Sequence, residues 1–263
     1  MFMPEIKLIA SDLDGTLLLD GAQDLSEDTC GLIREVCVKR GIIFFAASGR
    51  QYYSLKRLFA PIRDEIGYIC ENGCVNYYHD VELFKQVFSR DLAEEAIAEV
   101  LNFRDVEVMV SGDEFVYLQP KNPKFLPYMR DFVKYNAKAV PRISDIQEDF
   151  MKVAIFEEGG VSDETRRYFH GKFDSRATVV TSGNEWLDII PKNANKGVAL
   201  EKVLERLGIS PDECLALGDS GNDLEMLSLV KYPGTVESAS DDIKQQVRII
   251  TDTVENLLRK FIG

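Results

Sequence analysis

The sequence predicts an α/β fold built on a doubly wound parallel sheet, with an α+β domain inserted into it. At both ends of the chain, short apolar runs alternate with amphipathic helical segments, which is typical of buried parallel strands joined by helices. In the middle, short strands come in pairs between helices, which favours an antiparallel sheet with helices on one face. The 263 residues suffice for both domains. We expect a Rossmann-like core, residues 1–81 and 188–263, and an inserted domain, residues 82–187.

The first outer segment predicts two strands and the helix between them. The runs IKLIAS (6–11) and IIFFAAS (42–48) are largely apolar, as in strands that are buried on both faces. Residues 26–41 have a helical pattern that Ser26 can cap and Gly41 can end. This order of strand, helix and strand is that of a parallel crossover unit.

The last outer segment continues the same alternation. A helix is predicted over 195–208, because an Asn stands at its start and a Gly at its end. An apolar strand follows over 214–219, and a further helix begins at residue 222. The runs RIIT (248–251) and DTVENLLRKFI (252–262) predict a last strand and helix.

The middle segment has a different pattern. Helices and short strands are predicted over 91–103 (helix), 106–111 and 115–119 (strands), 123–136 (helix), 152–158 (strand), 162–172 (helix) and 177–183 (strand). We expect these strands to form a sheet of their own.

Composition limits the classes of partner. A net charge of −13 disfavours nonspecific binding to nucleic acid or to an anionic membrane. No run approaches the roughly 20 apolar residues of a membrane span, and the N-terminus lacks the features of a signal peptide. Five cysteines without a C-x-x-C pair predict reduced thiols and no zinc site. We therefore expect a cytoplasmic protein with a small-molecule partner, and the sequence leaves its oligomeric state open.

Two carboxylates end the first predicted strand. In DLDGT, Asp12 and Asp14 are two residues apart, so in an extended chain their side chains share a face. Gly15 permits a sharp turn, and Thr16 can hydrogen-bond a carboxylate. Because buried carboxylates are costly without a cation or strong hydrogen bonds, this motif suggests a Mg²⁺ site. The alternative is an exposed acidic turn.

Three further polar groups follow predicted strands or begin a helix. Ser48 and Gly49 end an apolar strand, where a hydroxyl and backbone N–H groups suit a phosphate oxygen. Lys196 stands in a helix's first turn against the macrodipole, which suggests that its ammonium faces an anion. Asp219 and Asp223 follow a buried strand and offer oxygen ligands to a hard cation. Taken singly, a helix cap is the favoured interpretation of Ser48 and a surface lysine that of Lys196, whereas an acidic loop is an equal alternative for Asp219 and Asp223.

Taken together, the four stretches predict one site. Ligands of open parallel sheets bind at the carboxyl ends of the strands, and all four stretches are predicted at that edge. Carboxylates that converge there would repel one another strongly without a divalent ion. The sequence therefore predicts Mg²⁺ and a phosphate group at this edge, with Lys196 balancing part of the negative charge.

The motifs DLDGT, the serine ending FFAAS, Lys196 and GDSGND, in that order, resemble the haloacid dehalogenase-like (HAD) superfamily of aspartyl phosphotransferases. The insertion between the serine and the lysine is similar to the α/β cap of the Cof-type subfamily. The resemblance covers essentially the whole chain. At two places the sequence departs from the family pattern: Glu237 and Ser238 replace a small residue and Asn, and TDTVENLL replaces the usual Asp-Gly-Val.

The resemblance implies a role for each acidic residue. Asp12 would be the nucleophile that forms an aspartyl-phosphate. Asp14 would protonate the leaving oxygen and then activate water, and its main-chain carbonyl would ligate Mg²⁺. Asp12 and Asp219 would be the side-chain metal ligands. Asp223 would lie behind these ligands or pair with Lys196.

The same resemblance implies a phosphate pocket. Ser48, Gly49, Lys196 and Asn222 would hold the phosphoryl oxygens, and Asn72 matches a family position near the site. Arg50 could contact the substrate or face solvent.

The resemblance also leaves the activity partly open. Substrate contacts in the inserted domain could come from Asn184 and Glu185. The first expectation is a Mg²⁺-dependent phosphatase acting on small phosphorylated metabolites, with sugar phosphates as the first guess. A sugar phosphomutase and a non-catalytic phosphometabolite-binding regulator are the alternatives.

Overall fold

An eight-stranded sheet forms the centre of one of the two units into which the chain divides. This first unit consists of Met1–Lys85 and Asn195–Gly263, and the second unit is Gln86–Ala194. The computed structural model describes residues 5–22 and 24–262. The predicted fold class, a Rossmann-like α/β core with an inserted α+β domain, is confirmed.

The described residues form fourteen strands and nine α-helices, numbered along the chain. The strands are β1 (Leu8–Asp12), β2 (Ile43–Ala47), β3 (Gly67–Cys70), β4 (Val75–Tyr78), β5 (Val81–Lys85), β6 (Glu107–Ser111), β7 (Val116–Leu118), β8 (Ala137–Ala139), β9 (Lys152–Phe156), β10 (Ala177–Thr181), β11 (Trp186–Pro191), β12 (Cys214–Leu217), β13 (Tyr232–Val236) and β14 (Ile249–Thr251). The helices are α1 (Glu27–Arg40), α2 (Tyr52–Leu58), α3 (Arg90–Asn102), α4 (Phe125–Pro127), α5 (Asp163–Phe173), α6 (Lys196–Leu207), α7 (Leu224–Leu229), α8 (Asp241–Lys244) and α9 (Val254–Ile262). None of the helices within the described residues combines the length and the hydrophobicity that a membrane span requires.

The larger sheet has the strand order β14-β13-β12-β1-β2-β3-β4-β5. Its strands from β14 to β3 are parallel, whereas β4 and β5 add an antiparallel hairpin at one edge. Strand β1 has β2, the next strand along the chain, on one side, and β12, from the last segment of the chain, on the other. The carboxyl end of β1 is therefore at the topological switch point, where open α/β sheets bind ligands.

The second unit contains a six-stranded sheet of order β10-β11-β9-β6-β7-β8. All its neighbouring pairs are antiparallel except β7 and β8. One face carries an apolar cluster with side chains from α3 and α5, such as Phe169 and Phe173. The opposite face carries a smaller cluster with Phe125, Met129 and Phe156. The prediction of helices on one face alone was therefore incomplete, because the short α4 segment packs against the other face.

The ends of the two long core helices follow the predicted signals. Ser26 caps α1 and Asn195 caps α6, since each side chain accepts a hydrogen bond from the backbone N–H three residues further on, at 3.0 and 2.8 Å. Gly41 and Gly208 end these helices in the left-handed conformation.

The helix predicted over 123–136 is confirmed only in part. It is shorter and irregular, because α4 continues directly into a π-helical turn, Tyr128–Phe132. In that turn the N–H of Val133 donates to the carbonyl of Tyr128, five residues back, at 3.0 Å. Helical backbone therefore covers residues 125–132 of the predicted range, and its hydrogen bonding changes from the α to the π pattern after Pro127.

The structure extends both domain boundaries beyond those predicted at residues 81/82 and 187/188. Val81–Lys85 pairs with β4 across a turn in which His79 and Asp80 both have positive φ, so the hairpin belongs to the first unit. Trp186–Pro191 pairs with β9 and β10, so the second unit continues to Ala194.

Gly197, in the first turn of α6, lies against α7. A Cβ at this position would stand 2.6 Å from the main-chain carbonyl carbon of Glu225. We expect Gly197→Ala to lower the free energy of unfolding by about 1–3 kcal/mol, because overpacking outweighs the better helix propensity of Ala. The control is Gly31→Ala in α1, where a Cβ meets nothing within 4 Å and should add roughly 0.5–1 kcal/mol. Urea unfolding measures both, and a stable Gly197→Ala protein would contradict the close packing.

Candidate active site

Three neighbouring parallel strands end at one point of the larger sheet. Asp12 is the last residue of β1, Ser48 directly follows β2, and Asp219 follows β12 by two residues. Strand β1 pairs with β2 on one side and with β12 on the other. The topology of the sheet thus brings the three side chains to the same edge.

Lys196 forms the centre of the site. Its Nζ donates to Asp12 Oδ1 at 2.5 Å and to Asp223 Oδ1 at 2.6 Å. The side chains of Lys196 and Asp223 are 1% and 0% exposed, and that of Asp12 is 8% exposed. A buried ammonium is stable only with close counter-charges, so α6 is held to β1 and to the loop after β12.

Asp223 also anchors the loop that carries Asp219. Its second oxygen, Oδ2, accepts hydrogen bonds from the backbone N–H groups of Asp219 and Ser220, both at 3.1 Å. Since Oδ1 bonds to Lys196, both oxygens of Asp223 have protein partners. Asp223 therefore shapes the site from behind.

The DLDGT turn wraps around the carboxylate of Asp219. Thr16 Oγ1 donates to Asp219 Oδ1 at 2.8 Å. Gly15 has a φ of +96°, and a Cβ there would lie 2.4 Å from Asp219 Oδ2. Only glycine suits both the left-handed backbone and the close approach.

Burial and mutual repulsion shift the pKa values of the site. Burial, followed by the charge of Asp223, raises the pKa of Asp12 well above its ordinary value, although Lys196 opposes the shift. Burial also raises the pKa of Asp219, against the hydrogen bond from Thr16. Burial alone would lower the pKa of Lys196, but Asp12 and Asp223 outweigh it and raise the pKa. Three carboxylates thus share one ammonium, and the site carries excess negative charge.

The donor set fits a hard divalent cation. Asp12, Asp219 and Asp223 each offer a carboxylate oxygen, and these oxygens lie within 4.8 Å of one another. Oxygen ligands of this kind suit Mg²⁺. Because both oxygens of Asp223 have protein partners, Asp12 and Asp219 are the side chains best placed to hold the ion.

Ser48 lies beside this cluster at the end of β2. Its backbone N–H donates to the carbonyl of Ile69 at 2.8 Å, and its Oγ accepts from the backbone N–H of Arg50 at 3.2 Å. Since Oγ accepts in this bond, its own hydrogen can be donated to an anion. Ser48 and Gly49 thus form a turn that suits a phosphate oxygen.

The loop after β3 supports that turn. The backbone N–H of Asn72 donates to the carbonyl of Ser48 at 3.1 Å. The Asn72 side chain accepts from Nδ2 of Asn222 at 3.3 Å, so it also contacts the loop after β12. Asn72 has a φ of +54°, a strained conformation that Asn tolerates better than most residues.

Asp14 has a different environment from Asp12. Its side chain is 52% exposed and pairs with Arg50. The guanidinium of Arg50 donates through Nε to Asp14 Oδ2 at 3.0 Å and through Nη2 to Oδ1 at 2.5 Å. The sequence left open whether Arg50 faces solvent, and opposite charges after adjacent strands were the only signal for this pair.

The structure thus brings four predicted residues together. Lys196 contacts Asp12 and Asp223 directly, and carboxylate oxygens of Asp12, Asp219 and Asp223 lie within 4.8 Å of one another. Asn72 hydrogen-bonds both Ser48 and Asn222 and so connects them, whereas the sequence suggested only that Asn72 lies near the site. The roles of these residues remain predictions.

The candidate substrate contacts in the second unit have structural partners there. Asn184 Nδ2 donates to the carbonyl of Gly159 at 3.4 Å, and Glu185 Oε1 accepts from the N–H of Gly159 at 2.9 Å. Both side chains therefore support the turn after β9, and their predicted contact with substrate remains untested.

The sequence matches proteins from several bacteria. A family model described as haloacid dehalogenase-like hydrolase matches residues 9–257. The 5-amino-6-(5-phospho-D-ribitylamino)uracil phosphatase YbjI of Escherichia coli is 26% identical over 238 residues, covering 90% of this chain and 88% of the relative. The HMP-PP phosphatase of Cronobacter sakazakii is 28% identical over 227 residues, covering 85% and 81% of the two chains.

A solved structure has the same fold along nearly the whole chain. It is described as a putative phosphate from Eubacterium rectale, is 26% identical, and superposes with a TM-score of 0.85 over 98% of this chain and 99% of that one.

Lys196→Met should be strongly destabilising. It leaves Asp12 and Asp223 buried without their cation, which typically costs about 3–5 kcal/mol. Because the folded-state pKa of Asp12 is raised, the folded protein binds protons more tightly than the unfolded chain. The contribution of Asp12 to the variant's stability is thus most favourable below about pH 4 and becomes less favourable as pH rises through the raised pKa.

Urea unfolding at several pH values, in the presence of a chelator, measures this effect. Lys202→Met is the matched control, because Lys202 lies on the same helix with 41% of its side chain exposed. A Lys196→Met protein as stable at neutral pH as the control would show that the ion network contributes little.

Proposed function

Because this chain belongs to the haloacid dehalogenase-like hydrolase family, we propose that it is a Mg²⁺-dependent phosphatase of small phosphorylated metabolites with Asp12 as its nucleophile. The chain is a phosphoric monoester hydrolase of this family. The proposal concerns its nucleophile, its ion and its substrate.

One observation carries the proposal: a buried carboxylate at the sheet's switch point, fixed by a buried ammonium. Lys196 orients the carboxylate of Asp12 through Oδ1, so Oδ2 can face a substrate. A nucleophile held in one orientation loses little entropy on reaching the transition state. A carboxylate nucleophile also divides the hydrolysis into two displacements.

In the first displacement, an oxygen of Asp12 attacks the phosphorus and the P–O bond to the leaving group breaks. Asp14 gives a proton to the departing oxygen, so the products are an alcohol and an aspartyl-phosphate. In the second, water attacks the phosphorus while Asp14 takes a proton from it. Asp12 is regenerated as a carboxylate, and inorganic phosphate is released.

The remaining residues bind the transferring group. Ser48, Gly49, Asn222 and Lys196 would donate hydrogen bonds to the equatorial oxygens, which carry the negative charge of the transition state. Asp12 and Asp219 would hold Mg²⁺, which supplies charge neutralisation between the nucleophile and the phosphate. The excess negative charge of the carboxylate cluster supports this assignment.

The substrate class is inferred from the chemistry that the relatives share, and not from the name of any single relative. The two relatives are named for different compounds, so neither name determines the substrate of this chain. Their shared chemistry is phosphate release from a small metabolite, and sugar phosphates are the first class to examine.

Asp12→Asn should abolish turnover without unfolding the protein. An amide is a poor nucleophile, so phosphate release from a panel of phosphorylated metabolites should fall by at least about 10³-fold. Asp20→Asn, at an exposed position of the same segment, is the matched control and should keep wild-type activity. Retained phosphate release by Asp12→Asn would reject the assignment of Asp12 as the nucleophile. If the wild-type protein converts a sugar phosphate mainly into its isomer and releases little phosphate, the result would favour a mutase.

Magnesium should stabilise the wild-type protein as well as activate it. Chelation should stop phosphate release and added Mg²⁺ should restore it. Because the ion binds the folded state alone, a concentration about 100 times its Kd should add about 2.7 kcal/mol of stability, which raises Tm by several degrees.

The stabilisation should disappear in Asp219→Asn, which lacks one proposed ligand. Asp212→Asn is the control, because Asp212 is exposed and pairs only loosely with Lys231, at 3.9 Å. An equal rise in Tm for Asp219→Asn and the control would place the ion elsewhere.

A further inference from the structure

Arg50 forms a bidentate ion pair with the carboxylate of Asp14. Nε and Nη2 of the guanidinium donate to Oδ2 and Oδ1 at 3.0 and 2.5 Å. Two parallel hydrogen bonds to a planar carboxylate fix its direction and its rotation. A lysine could supply the charge but not this geometry.

Of the two partners, Arg50 is the better fixed. Its side chain is 15% exposed, whereas that of Asp14 is 52% exposed. Its backbone is bound on both sides, because its N–H donates to Ser48 Oγ at 3.2 Å and its carbonyl accepts from the N–H of Glu71 at 3.1 Å. The arginine therefore positions the aspartate.

Asp14 needs such a partner more than Asp12 does. A half-exposed aspartate has little packing to select one of its staggered χ1 rotamers. Asp12 is buried and bonded to Lys196. A proton donor must reach within hydrogen-bond distance of the leaving oxygen, so an unfixed Asp14 would spend much of its time out of place.

We propose that Arg50 is a positioning residue that aims the carboxyl group of Asp14 at the leaving-group oxygen. The proposal rests on the proposed function, in which Asp14 is the acid and base. A protonated carboxyl group keeps acceptor capacity on both oxygens, so Oδ2 can carry the exchanged proton while both hydrogen bonds from Arg50 stay in place.

The experiment compares two esters of similar size with different leaving groups. The alkoxide of benzyl phosphate requires protonation as it leaves, whereas the phenolate of p-nitrophenyl phosphate does not. The quantity measured is kcat/KM, because it reports the steps up to departure of the leaving group and excludes the second displacement. The variants are Arg50→Lys, Arg50→Met and Asp14→Asn.

We expect both Arg50 variants to lose at least about tenfold in kcat/KM for benzyl phosphate and less than about threefold for p-nitrophenyl phosphate, since general acid catalysis contributes about 10²–10⁴. Equal losses on the two esters would mean that Arg50 binds the phosphoryl group, which overturns the proposal. Full rescue by Arg50→Lys would show that charge alone suffices, and overturns it as well.

Two controls separate this proposal from the proposed function. Arg34→Lys makes the same change in another bidentate ion pair, which Arg34 forms with Glu65 on the surface at 2.7–2.9 Å. This control should leave kcat/KM unchanged for both esters. Asp14→Asn should show the same leaving-group selectivity as the Arg50 variants. If the Arg50 variants lose activity selectively on benzyl phosphate but Asp14→Asn does not, Asp14 is rejected as the acid. If Asp12→Asn is active, Asp12 is rejected as the nucleophile, and the proposed function fails with it.

Discussion

The buried ammonium of Lys196 is the constraint on which the site depends. It lies between Asp12, which is 184 positions away in the sequence, and Asp223, which is 27 positions away. An uncompensated charge at that depth would be strongly unfavourable. The element that carries the ammonium and the two elements that carry its carboxylate partners must therefore meet at Lys196. These elements are the end of β1, the start of α6 and the loop after β12. The pair with Asp12 also ties together the two outer segments of the chain, which the second unit separates in sequence.

Three carboxylates around one ammonium leave the site electrostatically unbalanced. Burial and repulsion raise the pKa of both Asp12 and Asp219, which means that the folded protein holds these charges at a cost in stability. A bound cation removes that cost, so the same imbalance that weakens the metal-free protein would strengthen its affinity for an ion. Stability and ion binding are in this sense one property of the cluster.

The sequence predicted best the residues whose chemistry conflicts with their local position. Carboxylates after a buried strand and a lysine in a helix's first turn are each unfavourable alone, and together they located the cluster around Lys196. Features that depend on unusual backbone were not foreseen. The β4–β5 hairpin turns at His79 and Asp80 without a glycine, and the π-helical turn follows Pro127 inside an otherwise helical pattern. The pair of Asp14 with Arg50 depends on how adjacent strand ends align, which no local pattern encodes.

Asp12 and Asp14 are two residues apart, yet they have opposite surroundings. Asp12 is buried and bonded to an ammonium that is itself enclosed, whereas Asp14 is half-exposed and bonded to a guanidinium across the strand end. In the role proposed for Asp12, a nucleophile must keep one orientation through both displacements, so enclosure suits it. In the role proposed for Asp14, an acid and base must exchange protons with a leaving group and then with water, so it needs access to solvent. Access removes the packing that would fix its rotamer, and only a directional partner such as Arg50 can restore the orientation without closing the site.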